Sequence, residues 1–241
     1  MKFKVISCKM FQHEIEVAAK QSPHDLDIEY IELGEHAHPN DLRAKLQGKI
    51  DAATDVDAVL LCYGLCGRAT DGLSARDKPI ILPRSHDCGG ILLGSRKRFE
   101  EVFREMPSTP FSSVGIVENG DYFFDGGNLI LGDGWDALVA QYGEEDAQYI
   151  YDMMHPKLDG KLQPIYFIAT SEIDSAKAKE ICREKAEAEG REFRELAGDL
   201  RLVRMLLAGE HPATEFLIVN PGETIRQTGD WDQIIKAEQQ L

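Results

Sequence analysis

Short apolar runs alternate with stretches of helical periodicity over the first hundred or so residues. Residues 3–7 (Phe-Lys-Val-Ile-Ser) are apolar and β-branched enough to predict a strand. Residues 11–20 place Ile15, Val17 and Ala18 at helical spacing. Residues 27–33 set Ile28 and Tyr30, after Leu26, between acidic residues, the alternation of a half-buried strand. Pro39-Asn40-Asp41 opens a helix running to about residue 53, with Leu42, Leu46 and Ile50 on one face. Residues 57–61 and 79–82 are continuous apolar runs, as expected of parallel strands buried on both faces. Residues 90–106 predict one helix that turns Leu92, Leu93, Phe99, Val102 and Phe103 inward.

Regularity weakens over 109–162, where Gly and Asp crowd residues 119–134 and a helix is predicted for 135–154. Alternation returns from residue 163. Strands are predicted at 164–169, 191–196 and 215–220, helices at 174–189 and 199–208, and a short polar helix after Thr228. The order of elements and the turn glycines at the two ends of the chain match. The expected fold is therefore α/β: two Rossmann-like βαβαβ lobes with parallel sheets, related by internal duplication, with a cleft between them. Residues 1–108 and 163–241 form these lobes, and 109–162 connects them.

Composition narrows the functional classes. At 241 residues the chain can bury a sizeable core. Its 42 acidic and 27 basic residues leave a net charge of −15, which argues against nucleic acid and anionic membrane as partners. No apolar run approaches the roughly 18 residues of a membrane helix, and the N-terminal run is too short for a signal peptide. The expectation is a cytoplasmic protein. Five cysteines are too few for a disulfide framework, and clustered cysteines in such a protein point to metal or catalysis.

Four of the five cysteines stand at predicted strand ends: Cys8, then Cys62-Tyr63-Gly64-Leu65-Cys66, then His86-Asp87-Cys88. Carboxyl ends of strands in an open α/β sheet face one crevice, so these side chains are candidates to converge there. Thiolate and imidazole suit zinc, and thiolates also hold iron–sulfur clusters. Cys8, Cys62, Cys66, His86 and Cys88 are the candidate metal ligands. His86 and Cys88 are two apart, so an extended segment sends both to one side. Cys88 and His86 also form a candidate nucleophile and base, with Glu14 as a third acid or base. Gly89 and Gly90 open a helix whose amide groups, with Arg84 and Ser95 nearby, are candidates to hold a carboxylate or phosphate of a cofactor. Cys182 reads as a core residue, and His36-Ala37-His38 as a polar loop.

These residues resemble a prokaryotic family, domain of unknown function 1638. The resemblance is carried by Ile6-Ser7-Cys8 with Glu14, by Leu61-Cys62-Tyr63-Gly64-Leu65-Cys66-Gly67, by Pro83-Arg84-Ser85-His86-Asp87-Cys88 and by Leu92-Leu93-Gly94-Ser95. The chain departs from the family pattern at residues 121–127. The resemblance implies a setting in anaerobic one-carbon metabolism beside corrinoid-dependent methyltransferases. The leading expectation is then a metal protein, with zinc or an iron–sulfur cluster, acting in thiol activation or methyl transfer. A non-enzymatic corrinoid or metal carrier and a metal-free cysteine enzyme are the alternatives. The expected partners are a small-molecule substrate or a corrinoid protein, and a second copy of the chain in a homodimer.

Overall fold

A computed structural model of the chain describes residues 1–33, 39–66, 68–104, 109–119, 162–230 and 232–239, with isolated positions at 139, 143, 144 and 147. The helix predicted for 135–154, the His36-Ala37-His38 segment and the 121–127 departure lie outside the described residues, the isolated positions aside.

The first third follows the apolar pattern closely. Strand β1 (Lys2–Cys8) leads through a 3-10 turn (Lys9–Phe11) into α1 (Gln12–Ala19), β2 (Asp25–Ile31), α2 (Pro39–Ala52) and β3 (Ala58–Cys62). Strand β4 (Ile80–Pro83) follows. β3 and β4 are buried along their whole length, as central parallel strands should be. β2 alternates in burial because it is an edge strand. The sheet order is β2-β1-β3-β4-β8, with the first four strands parallel. Chain order reverses direction between β1 and β3, so their carboxyl ends flank the crevice where such sheets bind ligands.

The helix predicted for 90–106 is two helices, α3 (Cys88–Leu92) and α4 (Arg96–Phe103). Gly94 breaks it at φ +69°, where a Cβ would stand 2.6 Å from the Asp199 carbonyl oxygen. Ser95 then caps α4 by accepting from the Arg98 N–H. Apolar spacing alone could not show this break, because the inward face continues across it.

A second sheet, parallel throughout, is formed by β5 (Phe111–Ser112), β6 (Ile165–Ala169) and β7 (Phe193–Ala197). Helix α5 (Val114–Glu118) follows β5, α6 (Ala176–Ala188) joins β6 to β7, and α7 (Arg201–Ala208) follows β7. The next strand, β8 (Phe216–Val219), departs from the expected C-terminal lobe. It pairs antiparallel with β4 in the first sheet, so the three strands predicted after residue 163 divide between two sheets. α7 explains the crossing: Leu202, Val203, Leu206 and Leu207 are buried against α1, β3 and β4, which delivers the chain to the β4 edge. The tail is a hairpin of β9 (Glu223–Gln227) and β10 (Ile235–Gln239) rather than a helix. Pairing with β9 overrides the helical propensity of Lys236, Ala237 and Glu238.

The larger core joins β1, β3 and β4 to α7, β8 and the hairpin, and it reaches Phe111, Ile116 and Ile168 of the second sheet region. A smaller core lies between α5, β6 and α6 and contains Phe167, Ala178 and Cys182. Cys182 is thus the buried apolar residue its position suggested. No described helix is long and apolar enough to cross a membrane.

Candidate functional site

Cys8 is the last residue of β1 and Cys62 the last of β3, and the register places Ser7 opposite Cys62. The two thiols therefore stand at the carboxyl ends of the strands that flank the crevice. The Ser7 hydroxyl donates to the Cys8 carbonyl at 3.0 Å at this end of β1. Beyond Cys62 the chain turns alongside the segment leaving β4. The Leu65 N–H donates to the Ser85 carbonyl at 2.9 Å and the Cys66 N–H to the His86 carbonyl at 3.3 Å. Gly64 permits this approach, since a Cβ there would lie 2.7 Å from the Asp87 backbone. Cys66 itself holds φ at +44°, a left-handed conformation uncommon for a residue with a Cβ. Such backbone persists where the surroundings over-determine it, and it clusters at functional sites.

The result is that Cys66 Sγ sits 3.5 Å from Cys88 Sγ. All four cysteines are buried. Tyr63, fully buried, lies within electrostatic range of all four thiols, and burial pushes its phenol well above the usual range. The Cys88 thiol is pushed up by its hydrogen bond with Cys66 and by burial, and the Cys62 thiol chiefly by burial.

Two carboxyls flank the thiols. Glu14, on the inner face of α1, is 4% exposed and raises the Cys62 thiol further. Burial lifts its own pKa to about 7, and its Oε2 has no hydrogen-bond partner among the described residues. Asp87 caps α3 by accepting from the Gly90 N–H at 3.3 Å. Burial and the nearby Cys66 lift it to about 7 as well.

His86 meets this group through its backbone, its carbonyl accepting from the Cys66 N–H. Its ring packs toward Phe99 of α4, 6.2 Å between centroids, and burial together with the charge of Arg96 lowers its pKa. The extended alternation that would put residues 86 and 88 on one side ends at Asp87, because Cys88 is already helical. Arg84 is engaged elsewhere: it donates to the carbonyls of Ala213, Gln233 and Ile235, tying the end of β4 to the C-terminal hairpin. Gly89 and Gly90 serve close packing, with a Cβ on Gly90 falling 2.2 Å from Ser85 Oγ. Ser95 is a helix cap.

Thus the buried Cys8, Cys62, Cys66 and Cys88 lie near one another with Glu14 beside Cys62, while the His86 ring packs toward Phe99, Arg84 ties β4 to the hairpin and Ser95 caps α4. Among the described residues no three His, Cys, Asp or Glu side chains stand at metal-ligating spacing. Cys66 and Cys88 are the exception in pairwise terms. Two sulfurs each ~2.3 Å from a tetrahedral ion stand about 3.8 Å apart, close to the observed separation. Tyr63 and Asp87 are site residues that the sequence reading passed over. An aromatic at a strand end reads as core, and Asp87 reads as a spacer between His86 and Cys88.

Comparison with curated proteins and with solved structures yields no match. A family model described as a protein of unknown function, DUF1638, matches residues 30–207. That stretch contains β3, β4, α3 and the Cys62, Cys66 and Cys88 thiols, and it covers most of the chain, which therefore belongs to the DUF1638 family.

Proposed function

We propose that the chain is a metal–thiolate protein whose ligands come from the cysteine cluster at the carboxyl ends of β1 and β3. The observation that carries this reading is the contact of Cys66 and Cys88 at 3.5 Å, with Cys8 and Cys62 in the same buried pocket. A third and fourth ligand require side-chain rotation of Cys8 and Cys62 toward that pair, and their strand-end positions favour it. The chemistry of the environment supports a cation. Burial and mutual repulsion keep Cys62 and Cys88 protonated at neutral pH, so on their own they are weak nucleophiles. A bound divalent ion or cluster supplies the positive charge that deprotonates them: zinc would activate a thiol, and an iron–sulfur cluster would carry electrons.

The protein's own groups have defined parts in this proposal. Glu14 and Asp87 border the thiols and are placed to receive protons that the cysteines release. Tyr63 is buried beside the four thiols. The family resemblance supports a setting in cytoplasmic one-carbon metabolism beside corrinoid-dependent methyltransferases, with a small molecule or a corrinoid protein as partner. Direct activation of Cys88 by His86 is the less supported reading, since the His86 ring faces α4.

The test is elemental analysis with a visible spectrum on anaerobically purified protein, beside the Cys66→Ser and Cys88→Ser variants. The expected result is one metal centre per chain, zinc without colour or iron with thiolate absorption, lost in both variants. Protein that is metal-free after reconstitution with zinc and with iron and sulfide, while retaining its fold, would overturn the proposal.

A further inference from the structure

A cleft between α1, α5 and α6 has no part in the thiol centre. It measures about 700 Å³, within the ~300–1,000 Å³ of small-molecule sites. It opens at the carboxyl end of β6, between α1, α5 and the start of α6, the end at which α/β sheets hold ligands. α1 separates it from the cysteines: His13 faces the cleft and Glu14, the next residue, faces the thiol pocket. The wall is apolar where Val17, Val117, Ile173 and Ile181 line it.

Its charges are unevenly satisfied. Glu118 is paired with His13, and Glu172 with Arg204. Glu16 accepts from the Gln12 amide and Asp174 from the Ala176 N–H. Every carboxylate on the lining thus already has a donor. The side chains of Lys20, just past the end of α1, and Lys177, in the first turn of α6, have neither an ion pair nor a hydrogen bond among the described residues. Both are exposed at the rim, where an anion in the cleft can reach them.

We infer that this cleft binds a small organic anion with an apolar body, its charged group held between Lys20 and Lys177 and its body against Val17, Val117, Ile173 and Ile181. The inference is independent of metal binding at the thiols.

The probe is anilinonaphthalene sulfonate, an amphipathic anion whose fluorescence rises on leaving water. The full chain should bind it saturably at one site, and octanoate should displace it at least tenfold more effectively than octylammonium. Lys20→Glu with Lys177→Glu should weaken the probe tenfold or more, with an unchanged circular dichroism spectrum. Ile173→Trp, which fills the cleft, should abolish binding without reversing charge. Cys66→Ser with Cys88→Ser should leave binding intact, so failure of the thiol reading would not imitate failure here. Absent probe binding, equal displacement by octylammonium, or undiminished binding in the double lysine variant would each overturn the inference.

Discussion

Individual residues at the thiol pocket are held by sterics and by proton equilibria. Gly64 has no room for a side chain against Asp87, and the obstructing atoms are backbone. Gly64→Ala should therefore move the Cys66 turn away from Cys88 and cost about 1–3 kcal/mol, the usual range for overpacking, as read by urea denaturation. Glu14 carries the clearest pH dependence. Its carboxyl titrates near 4.5 when unfolded and at about 7 when folded, because burial disfavours the charge. Folding then takes up a proton between those values. Its contribution is most favourable below about pH 4.5, declines as pH rises through about 7, and costs about 3 kcal/mol above that. Glu14→Gln should gain stability relative to the parent at pH 8 and little at pH 4, as measured by denaturation at both pH values. An equal shift at both would place the proton elsewhere.

Elements are joined by a few decisive contacts. Arg84 spends its guanidinium on three backbone carbonyls, those of Gln233 and Ile235 at the C-terminal hairpin and that of Ala213 ahead of β8. Arg84→Ala leaves those carbonyls without that donor and should cost about 1.5–3 kcal/mol. Hydrogen exchange should accelerate first in β9 and β10, and spare β1 and β3. α7 is the other junction. Leu206 is fully buried on its inner face, between α1 and the central strands. Leu206→Ala should cost about 2–5 kcal/mol by transfer and cavity terms together, as measured by chemical denaturation.

Across the whole molecule, the larger core draws on both sheets, since Phe111, Ile116 and Ile168 pack into the cluster that holds β1 and β3. Gly115 reinforces this joint, because a Cβ there would fall 1.8 Å from the Met10 carbonyl oxygen, just after Cys8. The two sheets should unfold as one unit. Calorimetry should give a single transition with calorimetric and van't Hoff enthalpies in agreement; two resolved transitions would show that the joint is weak.

The local pattern by itself determined the α/β class, most element positions and the convergence of Cys8, Cys62, Cys66 and Cys88. Each of these depends on periodicity or on the rule that parallel strands share an end. Glu14's place beside these thiols was legible too, because it lies in the first turn of the helix that follows Cys8. Only tertiary structure decided that β8 returns to the first sheet, since strand pairing depends on where α7 delivers the chain and not on the apolar run of Phe216–Val219. It also decided that His86 faces α4, because the helix begins at Cys88 and ends the two-residue alternation that would have aligned them. The burial that lifts Glu14 and Asp87 to about 7 is likewise a property of the packed molecule, because desolvation is set by every group around a carboxyl and not by its neighbours in the chain.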